Sequence, residues 1–190
     1  MESVEGVAAI GRDPIALEAF YREHVEAVQR FVARRVDSYE DAADLTAEVF
    51  LAAIHACRGY RGDGAAPLAW LYGIARRVVA SHHRSTSRAL RALDRIDARD
   101  LLDEDAADRI VARIDSERAA RGIYHSLAAL PERQRAVVEL VAVDGLSLTE
   151  AAAALGISAG NARVRYHRAR QRLAHVLSQP LPETPLEVTS

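Results

Sequence analysis

From Ile15 to Val79 the apolar residues of this chain recur at three- and four-residue steps, and in no stretch do they alternate with polar ones. That period belongs to amphipathic helices, whereas a half-buried strand needs a period of two, so the first half of the chain is expected to bury its apolar side chains between packed helices. Pro14 suits the first turn of a helix that carries Ile15, Leu17, Phe20, Tyr21, Val25, Val28, Phe31, Val32 and Val36. Asp37 or Ser38 can cap a second helix, with Ser38 and Asp41 in capping-box spacing. Ala42, Leu45, Val49, Phe50, Ala53 and Ile54 form its apolar face, and it should end near Arg58. The run Gly59 to Pro67, with Gly62 and Gly64 inside it, breaks the period and predicts a loop. Pro67 then opens a third helix through Leu68, Trp70, Leu71, Ile74, Ala75, Val78 and Val79, with His82, His83 and Arg84 near its end. Trp70 falls in line with Leu71 and Ile74 and reads as core. Three such helices can bury one shared core, a first domain of residues 14–88, while residues 1–13 read as a flexible tail.

The pattern changes over residues 89–118, where Asp94, Asp97, Asp100, Asp103, Glu104, Asp105, Asp108, Asp115 and Glu117 stand among scattered Arg and Leu. This stretch predicts a solvated, flexible linker, with Leu101, Leu102, Ile110, Val111 and Ile114 able to support transient helix. From residue 119 the helical period returns. Ile123, Leu127 and Leu130 lead to Pro131, which opens a helix with Val137, Val138, Leu140 and Val141 that stops at Asp144-Gly145. Ser147 and Glu150 make a second capping box for a short helix of Leu148, Ala151, Ala152 and Leu155, terminated by Gly156. Ser158 caps a last helix with Val164, Leu173, Val176 and Leu177 on its apolar side, and prolines after residue 178 mark a disordered end. The expected fold is all-α: two small helical domains, 14–88 and 119–178, joined by an acidic flexible linker.

The short capped helix, the Gly-containing turn and a following helix rich in Arg163, Arg165, His167, Arg168, Arg170 and Arg172 have the sequence form of a helix-turn-helix. The last helix contains no acidic residue. A solvated surface helix usually mixes charge signs in paired steps, so this one points to nucleic acid, with its first turns toward base edges and Arg on flanking phosphates. The formal net charge of −2 conceals this segregation. All 25 basic residues are Arg, which suits bidentate contacts to phosphate or guanine and follows equally from a biased genome composition. A single cysteine, Cys57, excludes an internal disulfide and fits a reducing compartment. His55, Cys57, His82 and His83 lack the spacing of a zinc ligand set, and a buried cysteine near surface histidines is the expected arrangement. The start of the chain has no basic segment before an apolar run, and no window is apolar enough to span a bilayer, so a cytoplasmic protein without membrane insertion is expected.

In both halves the residues resemble one known family, the extracytoplasmic-function sigma factors of the sigma-70 family. Asp41-Ala42-Ala43-Asp44-Leu45-Thr46-Ala47-Glu48-Val49-Phe50-Leu51 is similar to the family's second-region segment, and Ala69-Trp70-Leu71-Tyr72-Gly73-Ile74-Ala75-Arg76 to the helix that follows it. Leu130-Pro131-Glu132-Arg133-Gln134-Arg135, Gly145-Leu146-Ser147, and Gly156-Ile157 through Arg170 resemble its fourth region. Departures occur at Ala43, Ala47, Arg77, Ser81 and Asn161, where the family usually has an acidic residue, Gln, Asn, Asp and Thr respectively.

The resemblance implies a factor that binds core RNA polymerase, through its clamp and flap, and that recognises and melts promoter DNA. It also implies an anti-sigma factor as a partner. Asp41, Asp44, Glu48 and Leu51 would face the polymerase; on sequence alone their acidic stripe serves helix solubility equally well. Tyr60, Arg61, Asp63, Arg76, Arg77, His82, His83 and Arg84 would serve the minus-ten element, with the Gly-rich loop catching a displaced base, an ordinary connector being the alternative. Ser158, Asn161, Arg163, Val164, Arg165, His167, Arg168 and Arg172 would serve the minus-thirty-five element. The competing reading is a stand-alone helix-turn-helix regulator with a sensor module in front, although a receiver would alternate strands with helices. No paired carboxylates, nucleophile with base, phosphate-binding Gly loop or metal set appears in the sequence, so neither catalysis nor a cofactor is expected.

Overall fold

The computed structural model describes residues 4–36, 38–62, 66–93, 127 and 129–177, and every regular element among them is helical. The linker acids from Asp94 to Glu117, Asp37, Asp63, Ile123 and the tail after residue 177 lie outside the described residues.

The first element corrects the expectation of a flexible tail. Val4–Ala9 form a helix, α1, whose Val7 is buried and which is followed by buried Ile10. A single isolated helical turn and a half has no stability of its own, and local propensity therefore gives no sign of it. Docking supplies the stability: the Cys57 thiol lies 3.1 Å from the Ile54 carbonyl and 3.8 Å from that of Ala8, with Gly11 directly over its sulfur.

Asp13 caps α2, Pro14–Ala33, by accepting the Ile15 N–H at 2.9 Å. Phe20, His24, Val28, Phe31 and Val32 face inward. Ile15, expected on that face, is 77% exposed, because five residues before Phe20 places it across the helix from the stripe. Ser38 accepts the Asp41 N–H and starts α3, Tyr39–Ala56, which a tight turn at Cys57–Gly59 extends. The third long helix, α4, spans Pro67–Leu93 and runs well past His82, His83 and Arg84, so these three lie within the helix and not at its end. Leu71, Tyr72, Ile74, Ala75, Val78 and Val79 of α4 close the core against α2 and α3.

Glu132–Val138 form α5, whose end widens over Glu139–Val143 into a π turn, with the Asp144 N–H donating to the Glu139 carbonyl at 3.0 Å. A short helix, α6 at Leu148–Leu155, and a long one, α7 at Ala159–Leu177, complete the fold. The α6 capping box is complete: Glu150 N–H donates to Ser147 Oγ at 3.2 Å and Ser147 N–H to Glu150 Oε2 at 2.8 Å. Gly156, at φ 64°, ends α6 with the paired Ile157-to-Ala152 and Gly156-to-Ala153 bonds of a Schellman turn. Replacing Ser147 with Ala should lower stability by about 1 kcal/mol in a chemical denaturation series, and an unchanged midpoint would remove the cap from the account.

The largest apolar core does not stop at the first three helices. Leu140, Leu146 and Ala151 belong to the same cluster as Phe31, Leu71 and Tyr72, so the two halves of the chain pack on one another. Periodicity identifies the buried face of each helix without naming the helix that covers it, which is why the sequence suggested a core confined to residues 14–88. Two smaller clusters hold the carboxy-terminal helices together, one of Leu127, Leu130, Val138 and Ala169, the other of Val137, Ala152 and Ala162.

Candidate nucleic-acid interface

The inward face of α7 consists of Ala162, Tyr166, Ala169 and Leu173, four residues at three- and four-residue steps. Val164, expected on that apolar side, falls off this stripe and is 49% exposed. Ser158 Oγ accepts the Asn161 N–H at 3.3 Å and fixes the first turn. Asn161, Val164, Arg168 and Arg172 then form one exposed stripe at helical spacing, with partly exposed Arg165 beside it and Arg163, His167 and Arg170 exposed on the other flank. The first three turns from the α6–α7 junction thus present a small polar group, a branched apolar group and a guanidinium. Such a set can read base edges, where an apolar side chain meets the thymine methyl and Arg takes guanine, while the flanking Arg residues reach phosphates.

On the first half, α4 carries Arg77, His83 and Arg84 exposed and Arg76 and His82 partly buried. His82 Nε2 lies 3.8 Å from Asp41 Oδ2, so a residue expected at DNA touches one expected at polymerase. Burial holds the Arg76 guanidinium below its usual pKa; one of its Nη atoms lies 3.8 Å from Glu132 and the other is buried without a hydrogen-bond partner. Tyr60 is buried, its ring 5.3 Å from that of Trp70, and Arg61 next to it is exposed. Tyr60 therefore stands behind the loop as its packed support, and its ring is not presented to solvent.

Asp41, Asp44, Glu48 and Leu51 follow one another at three- and four-residue steps along α3, and Leu51 is 57% exposed. Beside them the structure adds a feature the sequence reading missed. Pro14, Leu17, Tyr21, Phe50, Leu51 and Ile54 line an open apolar groove of about 400 Å3 between α2 and α3, with Tyr21 packed on Phe50. The available signal was the width of the apolar arc on α2 and α3, which exceeds what one neighbouring helix can cover.

Comparison with known proteins places both halves. The profile of Sigma-70 region 2 matches residues 20–89, and that of Sigma-70, region 4 matches residues 120–173. The chain is 39% identical over 164 residues to the ECF RNA polymerase sigma factor SigD of Mycobacterium tuberculosis, covering 80% of this chain and 74% of that one. It is 35% identical over 170 residues to the ECF RNA polymerase sigma factor SigF of Caulobacter vibrioides, covering 90% and 82%. Among solved structures it is similar to CnrH, solved in complex with the cytosolic domain of CnrY, with a TM-score of 0.63 over 92% of this chain and 96% of that one at 24% identity. It is also similar to the sigma factor RpoE of Bartonella quintana, at a TM-score of 0.58 and 23% identity over 85% and 96%. These two likenesses concern the fold. Two sigma-70 regions in order, together with close relatives aligned along most of their length, establish that this chain belongs to the extracytoplasmic-function RNA polymerase sigma factors and is an alternative sigma factor that directs transcription.

Proposed function

We propose that residues 14–88 bind core RNA polymerase and the minus-ten element and that residues 119–178 bind the minus-thirty-five element, with residues 89–118 as the tether. The observation that carries this division is the acid-free exposed face of α7, set on a helix-turn-helix whose caps are complete. Each half makes a limited set of contacts, and linking them makes the second contact intramolecular, so specificity comes from satisfying both elements together. The region 2 match occupies the stretch that a stand-alone regulator would need for a sensor module.

In the first half, Arg76, Arg77, His82, His83 and Arg84 follow the strand's phosphates, and Arg61 and Asp63 of the loop meet the base displaced on opening. Taking a base out of the stack costs a few kcal/mol, which the loop contacts offset. Asp41, Asp44, Glu48 and Leu51 dock on the polymerase clamp, with the apolar groove of α2 and α3 as the adjoining surface. An anti-sigma factor is a fitting partner, given that RpoE of Bartonella quintana was solved with the anti-sigma factor NepR. Among the described residues no helix is long and apolar enough to cross a membrane, and the factor acts beside polymerase in the cytoplasm without catalytic chemistry of its own.

The test is transcription by core polymerase supplemented with variants. Arg168→Ala should lose about 1–3 kcal/mol and relax preference at one position of the upstream element. Arg165→Ala, at the flank, should weaken binding evenly across sequences and flatten its salt dependence. Promoter choice and salt slope identical to the parent in both variants would refute the placement of α7.

A further inference from the structure

We propose that the cleft between the end of α2, the middle of α4 and the start of α5 binds a small phosphate anion, free or as the terminal group of an ester, with Arg35, Arg76 and Arg135 as its donors. The site requires none of the promoter contacts proposed above.

The cleft has a volume of about 460 Å3, within the range of small-ligand pockets. Arg34, Arg35, Arg76 and Arg135 line it against two carboxylates, Glu132 and Glu139. Asp144 stands behind them, its side chain fully buried, and takes Arg34 Nη1 at 3.1 Å and Arg35 Nη2 at 2.6 Å. Four cations against these three anions leave one positive charge in excess, in a place where burial strengthens every electrostatic contact.

Two of the four guanidinium groups keep a donor to spare. Arg35 is 9% exposed; its two Nη atoms serve Asp144, Glu139 and the Phe31 carbonyl, the Phe31 ring lies 3.6 Å from its guanidinium carbon, and its Nε is buried without a hydrogen-bond partner. Arg76 has one Nη 3.8 Å from Glu132, beyond hydrogen-bond length, and the other buried without a partner. A buried donor left unmade is costly, and a phosphate offers several strong acceptors to the guanidinium fork at once. A terminal phosphate suits the cleft better than a nucleic-acid strand, because it enters end first and carries up to two charges, where each phosphate of a strand carries one. Val36, Val79 and Ala136 give the cleft an apolar wall that can take the organic part of an ester.

Calorimetric titration of the full-length factor with pyrophosphate and with ADP, in buffer without divalent cations and at constant ionic strength, tests the site. One molecule per chain should bind, and at about ten times its dissociation constant each anion should raise the melting temperature by roughly 3–5 °C. Arg76→Gln and Arg135→Ala should each weaken binding about tenfold, whereas Arg133→Ala, which removes the same charge from α5 outside the cleft, should change it less than about twofold. Glu132→Gln should tighten binding about two- to threefold by removing a competing carboxylate, a gain that holds the test open if the arginine variants fold poorly. Tighter binding of ADP than of pyrophosphate identifies an ester as the ligand, and equal affinity identifies the free anion; either result supports the site. No binding of either anion, or equal losses in Arg133→Ala and Arg135→Ala, overturns it. Binding of a single-stranded oligonucleotide alone, through Arg135, assigns the cleft to DNA and overturns it as well.

Discussion

Phe31→Ala lowers the stability of the factor by about 3–5 kcal/mol, the range for deleting a fully buried aromatic side chain, and thermal melting should move down by roughly 10 °C. Phe31 is wholly buried, its ring is stacked at 4.6 Å on that of Tyr72, and it supports the Arg35 guanidinium. Its removal therefore opens a cavity where α2, α4 and the carboxy-terminal half meet. Ile15→Ala in the same helix is the matched control. At 77% exposure Ile15 contributes little burial, and its variant should stay within about 0.5 kcal/mol of the parent. Equal losses in the two variants would mean that the core lies elsewhere.

Leu51→Arg should leave the melting temperature near that of the parent and weaken binding to core polymerase by at least about 2 kcal/mol, close to thirtyfold. The change removes an exposed apolar contact next to the α2–α3 groove and sets a cation three residues after Glu48, neutralising part of the acidic stripe. Titration of labelled core polymerase against both proteins measures it, and Glu48→Arg serves as an independent probe of the same surface. If neither variant changes core affinity, the stripe is a solubility feature and polymerase docks elsewhere on the chain.

These two experiments touch the boundary of what the sequence makes legible. The period of the apolar residues, the capping box at Ser147 and the left-handed Gly156 located the long helices and the helix-turn-helix, because each signal is local and acts through the backbone of its own segment. Everything that depends on which helix faces which was hidden. Ile15 and Phe20 read alike in a list of apolar positions, yet they lie on opposite sides of α2. The α1 helix is too short to announce itself, and the pairing of Arg35 with Asp144 joins residues far apart in the chain. Tyr60 looked suited to catching a base because aromatic side chains stack on bases, but the same ring packs in a tilted contact against Trp70. That α7 carries arginines and no acid was readable in the sequence, whereas the burial of Arg76 and the exposure of Arg77 cannot be told apart by spacing.

The π turn at the end of α5 has an evolutionary consequence. A turn closed by the Asp144 N–H on the Glu139 carbonyl holds one residue more than an α-helical turn, and that surplus residue sets the direction in which Asp144 leaves the helix. Deleting one codon between Glu139 and Val143 would restore ordinary helical geometry and rotate Asp144 by about 100°, away from Arg35. The helix-turn-helix beyond it would retain its own caps and its own arginines. A lineage could thus gain or lose the bond between the two halves by a single in-frame insertion or deletion, leaving the DNA-reading surface to diverge on a separate schedule.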